Sequence, residues 1–339
     1  MGRLTDLVSM QNIFWRGASV AITGITGSLG TALSKELLKP EYNISRLVGI
    51  SRKWQDQDRL RHELDNDDRL RLFIGDIRDV DRLKLAFDGI EYLFHAAALK
   101  DVKSCWYNPV EALTINGIGT VNVLQASRDC GVRKVIVISS DKGVAPASGN
   151  LYGATKAVCE SVAVSYNNYS ASRKTRYSVA RYGNVVASSG SVIPLFFSQK
   201  ETGKLTITHD KMTRFWITMP EAVRFVIHSM ESMLGGEIFV PHLPSSRITT
   251  LASVIAPDAE LEVIGIRPGE KLHEIMLTQD ESPRTDDLGW AYRVKPQEKT
   301  WGGPAYVGGS PIPSDWIYSS ASAERLGESE LRNMLFKFD

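Results

Sequence analysis

As far as Tyr182, short apolar runs alternate with longer stretches whose apolar positions recur every three or four residues. The runs are SVAIT (19–23), RLVGIS (46–51), LRLFIG (70–75), YLFHAA (92–97), KVIVIS (134–139) and YSVARY (177–182). Four of them are nearly continuous and rich in β-branched or aromatic residues, as strands covered on both faces of a parallel sheet must be. Between them, 28–38, 54–65, 79–87, 109–130 and 152–169 carry helical patterns. This alternation predicts right-handed βαβ units and an α/β fold, a doubly wound parallel sheet of the dinucleotide-binding (Rossmann) kind.

Past Gly183 the rhythm loosens. PEAVRFVIHSMESM (220–233) predicts a helix with Pro220 in its first turn, where a missing N–H is harmless. EIFV (237–240) predicts a short strand, and the stretch from Asp280 to Ser310, dense in Gly, Pro and charge, reads as irregular. The pattern divides the chain into a dinucleotide-binding domain over 17–182 and a smaller, partly interleaved substrate lobe over 183–339, with some segments returning to the first domain.

Composition narrows the partners. With 43% hydrophobic residues in a chain of 339 there is ample material for a large core. Forty Lys and Arg against 39 Asp and Glu leave a net charge of +1, so no electrostatic footprint calls for nucleic acid or an anionic membrane. Cys105, Cys130 and Cys159 are widely spaced and form no CxxC pair; they read as free thiols of a reducing compartment, with no metal site. The start, MGRLTDLVSMQNIFWRG, is broken by Arg3, Asp6 and Arg16 and lacks a signal-peptide core. No window approaches the roughly 20 apolar residues of a membrane span. A soluble cytoplasmic protein is expected.

The chemistry begins at VAITGITGSLGTALSKELL (20–38). Gly24, Gly27 and Gly30, with Thr26, Ser28 and Leu29 between them, end the first strand and open the first helix. Glycines there let the backbone turn sharply and approach a pyrophosphate seated on the helix N-terminus. At the end of the second strand an NAD-binding chain usually carries an acid for the ribose hydroxyl. Ser51, Arg52 and Lys53 stand here instead, a hydroxyl and two cations suited to a 2′-phosphate, so NADP is expected rather than NAD.

The stretch SSDKGVAPASGNLYGATK (139–156) carries the reaction. Tyr152 and Lys156, four apart on a helix, share a face. An ammonium beside a phenol favours phenolate, and a phenolate can take the proton of an alcohol while a nicotinamide takes the hydride. Asp141-Lys142 adds an acid and a base that plain alcohol oxidation does not need. Oxidising carbon 4 of a sugar acidifies the hydrogen on carbon 5; a base removes it while an acid protonates the departing carbon-6 hydroxyl. Hydride return to carbon 6 completes a redox-neutral loss of water.

Taken together, GITGSLG, HAAALK, SSDK…NLYGATK, RYGNVVASSGSVIPLF, MTRFWIT and GIRPGEKLHEIML resemble the inverting UDP-N-acetylglucosamine 4,6-dehydratases of the extended short-chain dehydrogenase/reductase superfamily. The similarity runs over about 17–280, with a weaker echo at WIYSSASAERLGESEL (316–331). The resemblance implies Lys142 as the carbon-5 base, Asp141 as the acid at the carbon-6 hydroxyl and Tyr152 as the carbon-4 base, with Ser139 or Ser140 orienting the sugar or the nicotinamide. It implies Asp76 and Ile77 beside the adenine, and Ala96, Ala97 and Lys100 along the cofactor and the sugar. It places Asn184 and Val185 between nicotinamide and sugar, with Arg214, Arg267 and Glu270 on the nucleotide diphosphate. An Arg267–Glu270 ion pair is the structural alternative. Retaining dehydratases carry Asp-Glu at the Asp141-Lys142 position, so the lysine discriminates. The long helices near 109–130 and 152–169 imply a homo-oligomer, dimer or hexamer.

Three features depart from the family pattern. The loop from Lys142 to Tyr152 is longer, Asp101 stands where histidine is common, and Ser189 stands where arginine is common. A nucleotide-sugar 4-epimerase, a retaining or 5,6-type dehydratase and a non-catalytic NADP sensor remain the alternatives.

Overall fold

The computed structural model describes residues 11–170, 174–186, 191–302 and 305–336. Strands form at all six apolar runs: β1 (Ser19–Thr23), β2 (Arg46–Ser51), β3 (Leu70–Ile74), β4 (Tyr92–His95), β5 (Lys134–Ser140) and β6 (Arg176–Tyr182). The helices are α1 (Gln11–Trp15), α2 (Ser28–Leu37), α3 (Trp54–Glu63), α4 (Val80–Phe87), α5 (Val102–Tyr107), α6 (Pro109–Ala112), α7 (Gly119–Asp129) and α8 (Leu151–Ser165). Parallel pairing gives the order β3-β2-β1-β4-β5-β6, extended by the parallel strand Ile238–Pro241. Strand order reverses between β1 and β4, and in such sheets ligands bind in the crevice beyond the strand ends at that point. β1 is buried along its whole length, as a strand covered on both faces should be.

Two segments differ from the sequence reading. The stretch from Asp280 to Ser310 is not irregular throughout: Thr285–Asp287 and Ala291–Val294 form an antiparallel hairpin that joins the main sheet beside Ile238–Pro241. Its charges hid the strand signal because they are satisfied in place. Arg293 donates to Asp286 at 2.8 Å and Lys295 to the other carboxylate oxygen at 3.0 Å. The helix expected over 109–130 is instead α6, a π-helical segment Leu113–Ile118, and α7. The Asn116 side chain, in the π segment, accepts from the Leu99 amide at 2.8 Å, donates to the Leu99 carbonyl at 3.0 Å and donates to Thr155 on α8 at 2.9 Å. A straight α-helix would carry Asn116 out of register with these partners, and π-turns commonly sit beside functional sites.

The later part of the chain also builds a second, smaller core around Ile193, Phe196, Leu205, Trp216 and Leu251. A buried charge cluster joins the main sheet to α8 and to the segment around 276–281. Arg181 on β6, 2% exposed, forks onto Glu160 of α8 at 2.9 and 2.6 Å and onto Glu281 at 3.0 and 2.8 Å. A fifth contact, to the Met276 carbonyl at 2.7 Å, completes its donors. Among the described residues no helix is long and apolar enough to cross a membrane.

Removing one member of such a cluster leaves the others buried and uncompensated. Arg181→Ala is expected to lower unfolding free energy by about 3–5 kcal/mol in urea titrations. Burial opposes ionisation of Glu281, but Arg181 outweighs it and holds the carboxyl below its ordinary value. Its contribution is therefore complete above the unfolded-state pKa and lost as pH falls through the lower folded one. Wild-type protein should thus lose stability toward acid more steeply than a variant lacking both glutamates.

Candidate active site

At the reversal point the turn after β1 is closed by contacts that only glycine permits. Gly24 has φ +73°, and a Cβ there would lie 2.8 Å from the Ala97 backbone at the end of β4. A Cβ at Gly30 would enter the backbone of Gly24 and Ile25. Gly27 begins α2 without any side-chain cap, so no side chain claims the first-turn amides. Beneath the turn, Thr23 bonds His95 Nδ1 at 2.7 Å and Thr120 bonds His95 Nε2 at 3.0 Å. Burial, helped by Lys156, pushes His95 down to about 3, so this tie is a neutral one. The cradle has the shape and the free donors that a dinucleotide diphosphate requires.

Ser51 accepts from Gln57 at 3.0 Å, and Arg52 and Lys53 project exposed from the end of β2. Asp76 is gripped by Arg78 at 3.0 and 2.8 Å, and that hydrogen bonding holds its carboxyl below the ordinary range. Ile77 lies alongside.

A cavity of about 1990 Å³ runs from this cradle into the later part of the chain. Every candidate from the sequence lines it except Asp141: the turn residues Gly24 to Gly30, Ser51 to Lys53, Asp76, Ile77, Ala96, Ala97, Lys100, Ser139, Ser140, Lys142, Tyr152, Lys156, Asn184, Val185, Arg214, Arg267 and Glu270. Asp141 has no exposure at all. Its Oδ1 accepts from Ser140 at 2.7 Å and from Lys142 at 3.1 Å, while Oδ2 has no partner. Lys142 also donates to Asn184 at 3.0 Å. Burial disfavours its charged form, yet Asp141 and Glu274 outweigh burial and raise its pKa. At rest Lys142 is an ammonium.

Lys156 donates to the Ile138 carbonyl at 2.8 Å, and burial lowers its pKa. The expected depression of the Tyr152 pKa is not found. Burial and the neighbouring Asp141 charge push the phenol up, against a hydrogen bond with Ser140 that pulls it down. A lysine on the same face of α8 does not offset a carboxylate held in the same dry pocket.

Of the three departures, Asp101 is a helix cap: its carboxylate accepts from the Ser104 amide at 2.7 Å at the start of α5. Ser189 lies outside the described residues. The long loop is clamped from across the cavity. Asn150 caps α8 by accepting from Gly153 at 2.9 Å and donates to the Gly269 carbonyl at 2.8 Å. Lys271 donates to the Val144 carbonyl at 2.5 Å. Arg214 donates to the Thr213 and Leu272 carbonyls at 2.7 and 3.3 Å. Arg267 and Glu270 do pair, loosely, at 3.9 Å. Sequence reasoning missed Glu274, 3% exposed and within ion-pair distance of Lys142, Arg214 and Lys271. Its only signal was a third charge in GEKLHE, which nothing in the pattern marked as buried.

A glycine turn at the reversal of a parallel sheet, with a Tyr-xxx-Lys helix against it, defines an extended short-chain dehydrogenase/reductase fold. Within it, residues 20–296 match the family described as "Polysaccharide biosynthesis protein", and the chain belongs to that family. It is 42% identical over 287 residues (84% of this chain, 85% of the relative) to a protein of Campylobacter jejuni named UDP-N-acetylglucosamine 4,6-dehydratase (inverting). It is 37% identical over 330 residues (95% and 96%) to one of Rickettsia felis named UDP-glucose 4-epimerase. Among solved structures, Pen from Bacillus thuringiensis superposes with a TM-score of 0.87 at 34% identity, covering 96% of this chain and 98% of that one. DesIV of Streptomyces venezuelae, a dTDP-glucose 4,6-dehydratase with NAD bound, gives 0.66 at 22% identity, covering 75% and 86%, and supports the fold alone.

Proposed function

We propose that this chain is a nucleotide-sugar 4,6-dehydratase that takes UDP-N-acetylglucosamine to the 6-deoxy-4-ketosugar with inversion at carbon 5. One observation carries the reading: an aspartate without access to water, bonded to a lysine that faces the cavity near Tyr152. An epimerase has no step that needs this pair. A nicotinamide cofactor held by the glycine turn after β1 and beside Lys156 would supply the hydride chemistry and a positive charge that favours phenolate.

The chain supplies the rest. Tyr152 takes the carbon-4 hydroxyl proton, and Lys156, anchored on the Ile138 carbonyl, holds a positive charge in the same dry pocket. The Asp141-Lys142 pair holds one titratable proton. Moving it from ammonium to carboxylate gives a neutral amine and a neutral acid, the form that elimination needs, and exclusion of water favours the uncharged arrangement. Lys142 Nζ then removes the carbon-5 hydrogen. Asp141 is sealed from the sugar, so its proton reaches the carbon-6 hydroxyl through Ser140, which bonds Asp141 and lines the cavity. Arg214 and Arg267 line the cavity, and as cations they suit the diphosphate of the proposed substrate.

Purified protein given UDP-N-acetylglucosamine and no reductant should release a ketone lighter by one water. In deuterated water the ketone should carry deuterium at carbon 5. Lys142→Ala should abolish dehydration, and Tyr152→Phe should lower kcat by about 10²–10⁴-fold. The Rickettsia felis similarity, spanning nearly the whole chain, favours the second reading, a 4-epimerase. A product of unchanged mass, inverted at carbon 4, would decide for it.

NADP is proposed over NAD on the exposed Arg52 and Lys53 beside Ser51, where the fold brings the adenosine ribose. Replacing both cations by alanine should weaken NADP binding by about 10–100-fold in calorimetric titrations while leaving NAD binding unchanged. Equal losses for both cofactors would remove the assignment.

The proposal extends to a cytoplasmic homo-oligomer, paired through the face around α7 and α8. Leu113, Ile118, Val158 and Tyr169 are each at least 44% exposed there and would be covered by such pairing. Light scattering should give at least a dimer, and a strict monomer at micromolar concentration would count against it.

A further inference from the structure

Resting on that reading, the geometry points to Glu274 as a positioning residue: a buried carboxylate at ion-pair distance from Lys142 that sets its strength as the carbon-5 base. An ammonium has three donors. One goes to Asp141 at 3.1 Å and one to Asn184 at 3.0 Å; the third side of the group meets the Glu274 carboxylate at 4.0 Å. Only two donors are hydrogen-bonded, so Glu274 acts on the group through its charge while the third position stays open to the sugar.

Glu274 is itself built in. Its amide donates to Ser320 at 2.9 Å, and Ser320 bonds Thr213 at 2.7 Å, so the segment near the C-terminus fixes the backbone that presents it. The side chain is 3% exposed, its Oε2 has no hydrogen-bond partner, and it lines the cavity. Arg214 lies 3.7 Å from its Oε1 and Lys271 3.8 Å from its Oε2. The other charged or titratable groups around Lys142 are Asp141 on its own turn, Arg214 and Lys271 from the far wall, and Tyr152 on α8. Of these only Asp141 and Glu274 favour the ammonium.

The step concerned is a proton transfer. The carbon-5 C–H bond breaks, its proton goes to Lys142 Nζ, its electron pair becomes the enolate of the carbon-4 ketone, and reprotonation restores the ketone. No hydride moves, so the step can be followed without Tyr152.

The test uses the ketone made by the wild-type enzyme, purified, and returned to each variant with NADP in deuterated water. Deuterium entry at carbon 5 is followed against pH. Exchange needs the amine form, so its rate rises as pH passes the Lys142 pKa. Loss of the Glu274 charge lowers that pKa, and Glu274→Gln should move the rise to lower pH by about 1–3 units. Glu274→Asp keeps the charge and should leave the rise near the wild-type position.

A rise that does not move in Glu274→Gln, or that moves as far in Glu274→Asp, overturns the inference. Lys142→Ala separates the two claims. If that variant exchanges as the wild type does, the base assignment of the parent reading fails, whatever Glu274 does.

Discussion

Taking the Asp141 carboxylate wholly out of water costs several kcal/mol, and a single ammonium 3.1 Å away returns that cost only if its other donors are also met. Lys142 meets one of them at Asn184, just after β6, and has the Glu274 carboxylate at ion-pair distance. The pair is local in sequence, yet its surroundings draw on the segments of Asn184, 42 residues on, and of the much more distant Glu274. Any arrangement that kept Asp141 buried and lost those segments would leave an unpaired charge. The later part of the chain is in this sense a condition for the pair as well as a container for the sugar.

A second buried cluster does the matching work one layer down. Arg181 joins α8, which carries Tyr152 and Lys156, to Glu281 and the Met276 carbonyl. Glu274 and Glu281 therefore belong to one short stretch, 274–281, that touches both the base and the helix bearing the phenol. Clamping of the long loop by Asn150 and Lys271 uses the preceding residues of the same stretch. Placement of the reactive groups then depends on main-chain geometry that several independent contacts determine, which is how a site gains precision beyond that of a free loop.

Much of this was legible in the sequence, for identifiable reasons. The six parallel strands were visible because burial on both faces leaves almost no polar position in SVAIT or KVIVIS. The glycine turn and the stretch from Ser139 to Lys156 were visible because the groups concerned are contiguous or one helical turn apart. What escaped was whatever depends on a distant partner. The hairpin of Thr285–Val294 looked irregular because Asp286, Arg293 and Lys295 satisfy one another only after pairing. The π segment cannot be read from LTINGI, since its cause is Leu99 and Thr155. Glu274 was one charge among several in GEKLHE until folding set it beside Lys142.

The misjudged phenol shows why proximity in sequence is a poor guide to protonation. Tyr152 was expected to ionise easily because a lysine follows it by one turn. In the fold, burial of the phenol acts first and the Asp141 charge adds to it, so the neutral phenol is favoured. Lys142 is displaced the opposite way, toward ammonium, by the same Asp141 and by Glu274. The resting site is thus set against both of the groups that the proposed mechanism uses as bases. That is physically reasonable in a site that must not act before it is filled. A neutral phenol and an ion pair sharing one proton can each be converted by a proton shift of a few ångströms once the cavity loses its water and gains the positive charge of an oxidised cofactor. The energy that shifts them comes from ligand binding, as differential binding requires of any enzyme whose ground state is mismatched to its chemistry.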